Sequence, residues 1–241
     1  VFENEIAPKI TRQPLSLTVK EKEDATFSIT VEGTKLAYQW LKDGEKIPGA
    51  YKSRLSIKSV NRNENNTKYT CAVKNSKGEV NSSAAILTVH YGPTIFKHPE
   101  NIGVKAGEKA RFKVEVINGN PEETKFKWYK GNVEIIGKTD DELIFGVNKN
   151  YNGTMYSCKV SNDAGFEDES KPAKLSVYYI EITKQPQNQS VTVGGRATFE
   201  INAEGNPGNL TYKWKSGTFI DGTWKGPRHT PMQPPAPVRF R

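Results

Sequence analysis

The chain is poor in the residues that carry most enzyme chemistry. Its 241 residues include two cysteines, three histidines and two methionines. No Gly-rich phosphate loop, HExxH helix or CxxC pair occurs, so nucleotide-binding and zinc-hydrolase chemistry lack their usual frames. The three histidines, His90, His98 and His229, are not placed to make a catalytic triad. His90 and His98 without a cysteine or further acceptor nearby read as surface histidines rather than metal ligands. No apolar run approaches the length of a membrane span, and no stretch sustains a helical period. No signal peptide is visible. The chain opens at Val1 rather than Met, so it reads as a mature form or an excised piece. A concentrated charge is also missing. The net charge of +8 divides into +4 over residues 1–92 (14 basic, 10 acidic), zero over 93–179 (13 of each) and +4 over 180–241 (8 and 4). A dispersed excess of this kind reads as a solubility feature rather than a nucleic-acid site. The expectation is a non-enzymatic protein with no cofactor and no metal.

What the chain does have is a repeat. Pro14, Pro99 and Pro186 are 85 and 87 residues apart, as are Phe27, Phe112 and Phe199. Trp40, Trp128 and Trp214 are spaced by 88 and 86, and Tyr69/Tyr156, Cys71/Cys158 and Gly78/Gly165 each by 87. A unit of about 87 residues has the size of a small β-sandwich. Within each unit the period is two. Thr26–Val31, Arg111–Val116 and Thr198–Ala203 alternate polar with apolar residues, the pattern of half-buried antiparallel strands. Turn clusters such as Lys42-Asp43-Gly44 and Asn162-Asp163-Ala164-Gly165 recur at strand spacing.

Three features carry a resemblance to the immunoglobulin superfamily, and to its intermediate-type domains in particular. Each repeat has a Trp in its third long strand, in AYQWLKDG, FKWYKGN and TYKWKSG. The two complete repeats have Tyr-x-Cys about 30 residues later, Tyr69-Thr70-Cys71 and Tyr156-Ser157-Cys158, and each ends in an alternating strand. The resemblance implies an all-β fold of tandem Greek-key β-sandwiches. In it Trp40, Trp128 and Trp214 pack centrally, and Tyr69 and Tyr156 are corner tyrosines. Such domains normally bridge strands B and F with a disulfide. Here the strand-F cysteines are Cys71 and Cys158, while the strand-B positions are Ile29, Val114 and Ile201. Neither cysteine has a partner within its domain, so both are expected to be buried free thiols and no disulfide is expected.

The domains expected are an N-terminal extension (1–7), a first immunoglobulin-like domain (8–90), a second (93–178), a partial third with strands A to C only (180–217) and a Pro-rich, disordered tail (218–241). A half sandwich of this kind should leave Phe199, Ile201, Tyr212 and Trp214 uncovered. Residues 180–241 are therefore expected to be poorly ordered in isolation. The linkers Val89–Pro93 and Val177–Ile180 are very short, so the array should be extended and semi-rigid.

Five N-glycosylation sequons begin at Asn65, Asn81, Asn152, Asn188 and Asn209. Asn65 and Asn152 each lie six residues before a cysteine, a phasing that also fits inherited turn chemistry. Lys125, Lys127 and Lys130 form a basic strand that reads as a solvated face, with a small heparin-like polyanion site as the alternative. The acidic groups Asp140-Asp141-Glu142 and Asp168-Glu169 read as solvated carboxylates ahead of calcium ligands. Three functional readings stay open. The first is a protein-binding module of an extracellular or cell-surface adhesion protein. It would engage other proteins, homophilically or heterophilically, through a sheet face such as that of Leu41 or Tyr129. Sequons favour it. The second is an elastic, docking segment of a cytoplasmic, sarcomeric protein of the titin or twitchin type, favoured by the cysteine loss. The third is a bacterial or phage surface array.

Overall fold

The computed structural model describes residues 5–220 and 223–225. The first repeat contains β1 (Lys9–Arg12), β2 (Leu17–Lys20), β3 (Ala25–Ser28), β4 (Thr30–Glu32), β5 (Ala37–Lys42), β6 (Glu45–Lys46), β7 (Arg54–Ile57), β8 (Thr67–Asn75), β9 (Gly78–Asn81) and β10 (Ala85–His90). One sheet runs β2-β10-β8-β5-β6 with β9 also on β8, and the facing layer is made of the pairs β1-β4 and β3-β7. β2 joins β10 in parallel; every other pair in this repeat is antiparallel. The second repeat follows the same plan with β11 (Thr94–Lys97), β12 (Ile102–Lys105), β13 (Lys109–Lys113), β14 (Glu115–Ile117), β15 (Lys125–Lys130), β16 (Val133–Glu134), β17 (Glu142–Gly146), β18 (Met155–Ser161), β19 (Glu167–Glu169) and β20 (Ala173–Lys184).

The period-two pattern explains why these segments are strands. Ala25, Phe27 and Ile29 are buried while Ser28 and Thr30 face solvent, and Ala110, Phe112 and Val114 repeat this against exposed Arg111 and Lys113. Each sandwich closes around its own cluster, Phe27, Trp40, Tyr69 and Leu87 in the first, Phe112, Trp128, Tyr156 and Leu175 in the second. Trp40 and Trp128 are fully buried. The polar edge of each indole is satisfied in the same way: Trp40 Nε1 donates to the Lys52 carbonyl and Trp128 Nε1 to that of Asp140, both at 2.9 Å. Phe27 stacks on Tyr69 at 4.8 Å and Phe112 on Tyr156 at 5.0 Å. Such pairs add about 0.5–1.5 kcal/mol beyond the area they bury.

The third repeat has fewer strands than its sequence pattern suggests. β20 runs on to Lys184 and pairs with β21 (Asn202–Asn206), but Thr198–Ile201 and Thr211–Trp214 form no strand. Trp214 is 54% exposed and Ile201 only half-buried, so neither belongs to a core as Trp40 and Ile29 do. The reason is a missing ladder partner. β5 is held along all six residues by Tyr69–Lys74, and β15 by Tyr156–Ser161. No segment among the described residues plays that part for Thr211–Trp214. Phe199 and Tyr212 are about half exposed, as the uncovered half sandwich implied. Within the segment expected to be a disordered tail, β22 (Thr218–Ile220) and β23 (Thr223–Lys225) pair as a short ribbon. The tail beyond residue 225, with His229, lies outside the described residues.

Candidate interaction surfaces and the junction of the two sandwiches

Cys71 lies on β8 across from Trp40, and Cys158 on β18 across from Trp128. Both are free and fully buried. Burial pushes the Cys71 thiol up to about 11 and that of Cys158 to about 12. Raised, inaccessible thiols are inert packing groups rather than nucleophiles. Behind each stands a buried serine: the Cys71 N–H donates to Ser82 Oγ and the Cys158 N–H to Ser170 Oγ, both at 2.9 Å.

The sequon asparagines divide by environment. Asn188 and Asn209 are exposed in the third repeat, and Asn81 is exposed at the end of β9. Asn65 and Asn152 instead do structural work. Each ends a 3-10 turn ahead of the long strand β8 or β18. Asn65 Oδ1 accepts from the Val89 N–H and Asn152 Oδ1 from the Val177 N–H, both at 2.9 Å, which ties the turn to the last strand of its sandwich. The phasing of these two sequons thus has a source in the fold. Thr67, the hydroxyl residue of the Asn65 sequon, is 6% exposed.

Two of the three lysines of β15 are ion-paired. Lys125 pairs with Asp163, Lys127 with Glu134 at 3.3 Å, and Lys130 sits 4.3 Å above the Tyr151 ring. Lys159, across from Lys127 on β18, pairs with Glu169 at 3.5 Å. The equivalent face of β5 carries Ala37, Gln39 and Leu41 with no charge. The second sandwich also has an open groove of about 580 Å³ with Phe96, Val116 and Phe126 along it and Lys113, Asp140 and Asp141 at its edge. Lys113 is 3.7 Å from Asp141 and 3.4 Å from Glu142, so the lysine at this edge is paired with carboxylates. No cluster of three or more His, Cys, Asp or Glu able to hold a metal occurs among the described residues.

The densest polar arrangement lies where β10 runs into β11. Tyr91 and Asn120 exchange both backbone bonds, at 3.0 and 2.9 Å. Asn120 Nδ2 donates to the Val89 carbonyl at 2.7 Å and to Asn65 Oδ1 at 3.3 Å. From the other side Asn162, 5% exposed, donates through Nδ2 to the carbonyls of Tyr91 at 2.8 Å and Pro121 at 3.3 Å. Two glycines make the approach possible. A Cβ on Gly92 would meet Phe166 Cβ at 2.7 Å, and one on Gly119 would meet Asn162 Nδ2 at 2.7 Å and crowd the Tyr91 carbonyl. At the rim Lys20 lies 5.6 Å over the Phe166 ring, and Arg62, held by Glu21 through two 2.9 Å bonds, lies 5.1 Å over Tyr91.

Sequence reasoning passed over Asn120 and Gly119 and took Asn162 only as a turn residue. The signal was present as recurrence: Gly119-Asn120-Pro121 reappears as Gly205-Asn206-Pro207, and Asn162 has Asn75 at the matching place after its cysteine. The local structure recurs as well. Tyr179 pairs with Asn206, and a Cβ on Gly205 would meet the Tyr179 carbonyl at 2.7 Å. Asn75 Nδ2 donates to the carbonyls of Ile6 at 2.6 Å and Thr34 at 2.8 Å.

Comparison with known proteins agrees with this architecture. Residues 7–75 match the family model described as Immunoglobulin domain. The chain is 29% identical over 239 residues to the Muscle M-line assembly protein unc-89 of Caenorhabditis elegans, covering 91% of this chain and 3% of that protein. It is 27% identical over 237 residues to Roundabout homolog 2 of Homo sapiens, covering 88% of this chain and 17% of that protein. The chain therefore spans a small part of these relatives. Among solved structures it resembles the I-band fragment I67-I69 from titin, with a TM-score of 0.58 and 26% identity, over 75% of this chain and 69% of the fragment.

Proposed function

We propose that this chain, a tandem array of immunoglobulin-like domains, is a non-catalytic docking and spacing segment of an intracellular, muscle-type multi-domain protein. The observation that carries the reading is the pair of buried thiols. Cys71 and Cys158 pack as small apolar groups across from Trp40 and Trp128 with no bridge, so neither sandwich depends on an oxidising compartment to fold. The similarity to an M-line assembly protein along 91% of the chain points the same way. The sequence alone ranks an extracellular adhesion role first, chiefly on its sequons. The bonds made by Asn65 and Asn152 weaken that ground, because both asparagines have a use in the fold that needs no glycan. The similarity to Roundabout homolog 2 favours the extracellular role as the second reading.

The test uses the protein from its native source. Glycosidase treatment is expected to leave its mobility unchanged, and an antibody to the second sandwich is expected to stain a periodic cytoplasmic structure. Glycan on Asn65 or Asn152, together with labelling of intact cells by an impermeant reagent, would reverse the two readings.

A further inference from the structure

Domains joined by a short linker and a small interface move relative to one another by default. The junction between the first and second sandwiches is built against that motion. Asn120 belongs to the second sandwich, yet its side-chain nitrogen is held by the last strand of the first, at the Val89 carbonyl, and by the turn before β8, at Asn65 Oδ1. Its backbone N–H and carbonyl are both taken by Tyr91 in the linker. Asn162 closes the opposite side of the same linker residue while buried. Gly119 lies against the backbone of Tyr91 and Gly92, and Gly92 lies against the Phe166 side chain, so the linker is packed on both sides. Rotation at Tyr91–Gly92 would break bonds on both sides together and cost the buried Asn162 amide its shorter bond, to the Tyr91 carbonyl, where water cannot replace it.

We infer that Asn120 is the positioning residue of a rigid joint, and that the first and second sandwiches move as one body. The joint is polar and directional, so it sets one orientation rather than merely restricting the range. A partner can then read surfaces of both sandwiches at a fixed spacing, and tension along the chain passes through the clasp before it reaches either core. This inference holds whichever of the two functional readings is correct.

Pulsed electron spin resonance on the full chain tests it. Spin labels at S53C and N132C, both exposed and outside the junction, report the distance between the sandwiches. Because Cys71 and Cys158 are buried, labels attach only at the introduced sites. The unmodified junction is expected to give one narrow distance peak. N120A is expected to lose that peak to a broad distribution, while N118A, its exposed neighbour, keeps it. If N120A unfolds the second sandwich, seen as labelling of Cys158, then N65A tests the same clasp from the first sandwich and is expected to broaden the peak. A broad distribution before any junction substitution, or a narrow one surviving in a folded N120A or N65A protein, overturns the inference.

Discussion

Alkaline pH should loosen each sandwich through its cysteine, and the size of the effect follows from burial. In an unfolded chain a thiol loses its proton near pH 8.5. In the folded chain burial holds Cys71 up to about 11 and Cys158 up to about 12. Between these limits the folded state keeps a proton that the unfolded state has shed, so stability falls as the pH rises. The contribution is whole below about pH 8.5 and is lost as the pH climbs toward the folded values. At pH 10.5 one cysteine favours unfolding of its domain by about 2–3 kcal/mol, from a gap of about two pH units at 1.36 kcal/mol each. That is a large share of a typical domain stability of about 5–15 kcal/mol. The assay is urea unfolding at pH 7.5 and 10.5, followed by the fluorescence of Trp40 and Trp128, for the wild-type chain and for Cys158→Ala. Surface lysine pairs and the buried Tyr69 and Tyr156 also respond at high pH, but they are common to both proteins. Only the difference in alkaline loss matters. The variant is expected to start weaker, because it leaves a small cavity, and then to lose about 2–3 kcal/mol less than wild type in the unfolding of the second sandwich. Equal losses in the two proteins would refute the reasoning.

Three other substitutions and one binding assay probe the rest. Phe112→Ala removes a fully buried ring stacked on Tyr156 and should cost the second sandwich about 3–5 kcal/mol, leaving the calorimetric transition of the first sandwich in place. Gly119→Ala forces a methyl against Asn162 Nδ2 and the Tyr91 carbonyl and should destabilise the second sandwich by about 1–3 kcal/mol in urea titration. Asn61→Ala deletes the capping box shared with Glu64 and should lower the first sandwich by about 1 kcal/mol, read as a shift of its urea midpoint. On heparin resin the chain and its Lys125→Ala/Lys127→Ala variant should elute at nearly the same salt, because carboxylates already neutralise both lysines.

Much of the architecture was legible because it depends on local period and on a few large side chains. Alternation at Ala25-Phe27-Ile29 and Ala110-Phe112-Val114 marks buried strand faces wherever a facing layer exists. The same alternation misled at Thr198–Ile201, where that layer is absent among the described residues. Burial is a property of what lies opposite, and a strand pattern cannot supply its own cover. The sequons are ambiguous for a related reason. An asparagine before Tyr-x-Cys has one appearance in sequence whether it carries a glycan or holds a strand, and only the Val89 and Val177 N–H groups reveal the second use. The junction was the largest omission. Its parts are short polar residues scattered from Asn65 to Asn162, too common singly to stand out.

What the sequence determined by itself is the repeat, the all-β layering and the absence of a bridge: these follow from residue type and spacing, and a missing cysteine is missing in any conformation. Tertiary structure alone decided which residues share a water-free site. It set the thiols beside Trp40 and Trp128 on neighbouring strands, gave Lys125 and Lys127 their carboxylates, and brought Val89, Tyr91, Asn120 and Asn162 together at the joint. Hydrogen bonds and desolvation act over a few ångströms in space, and the distance along the chain carries no record of them.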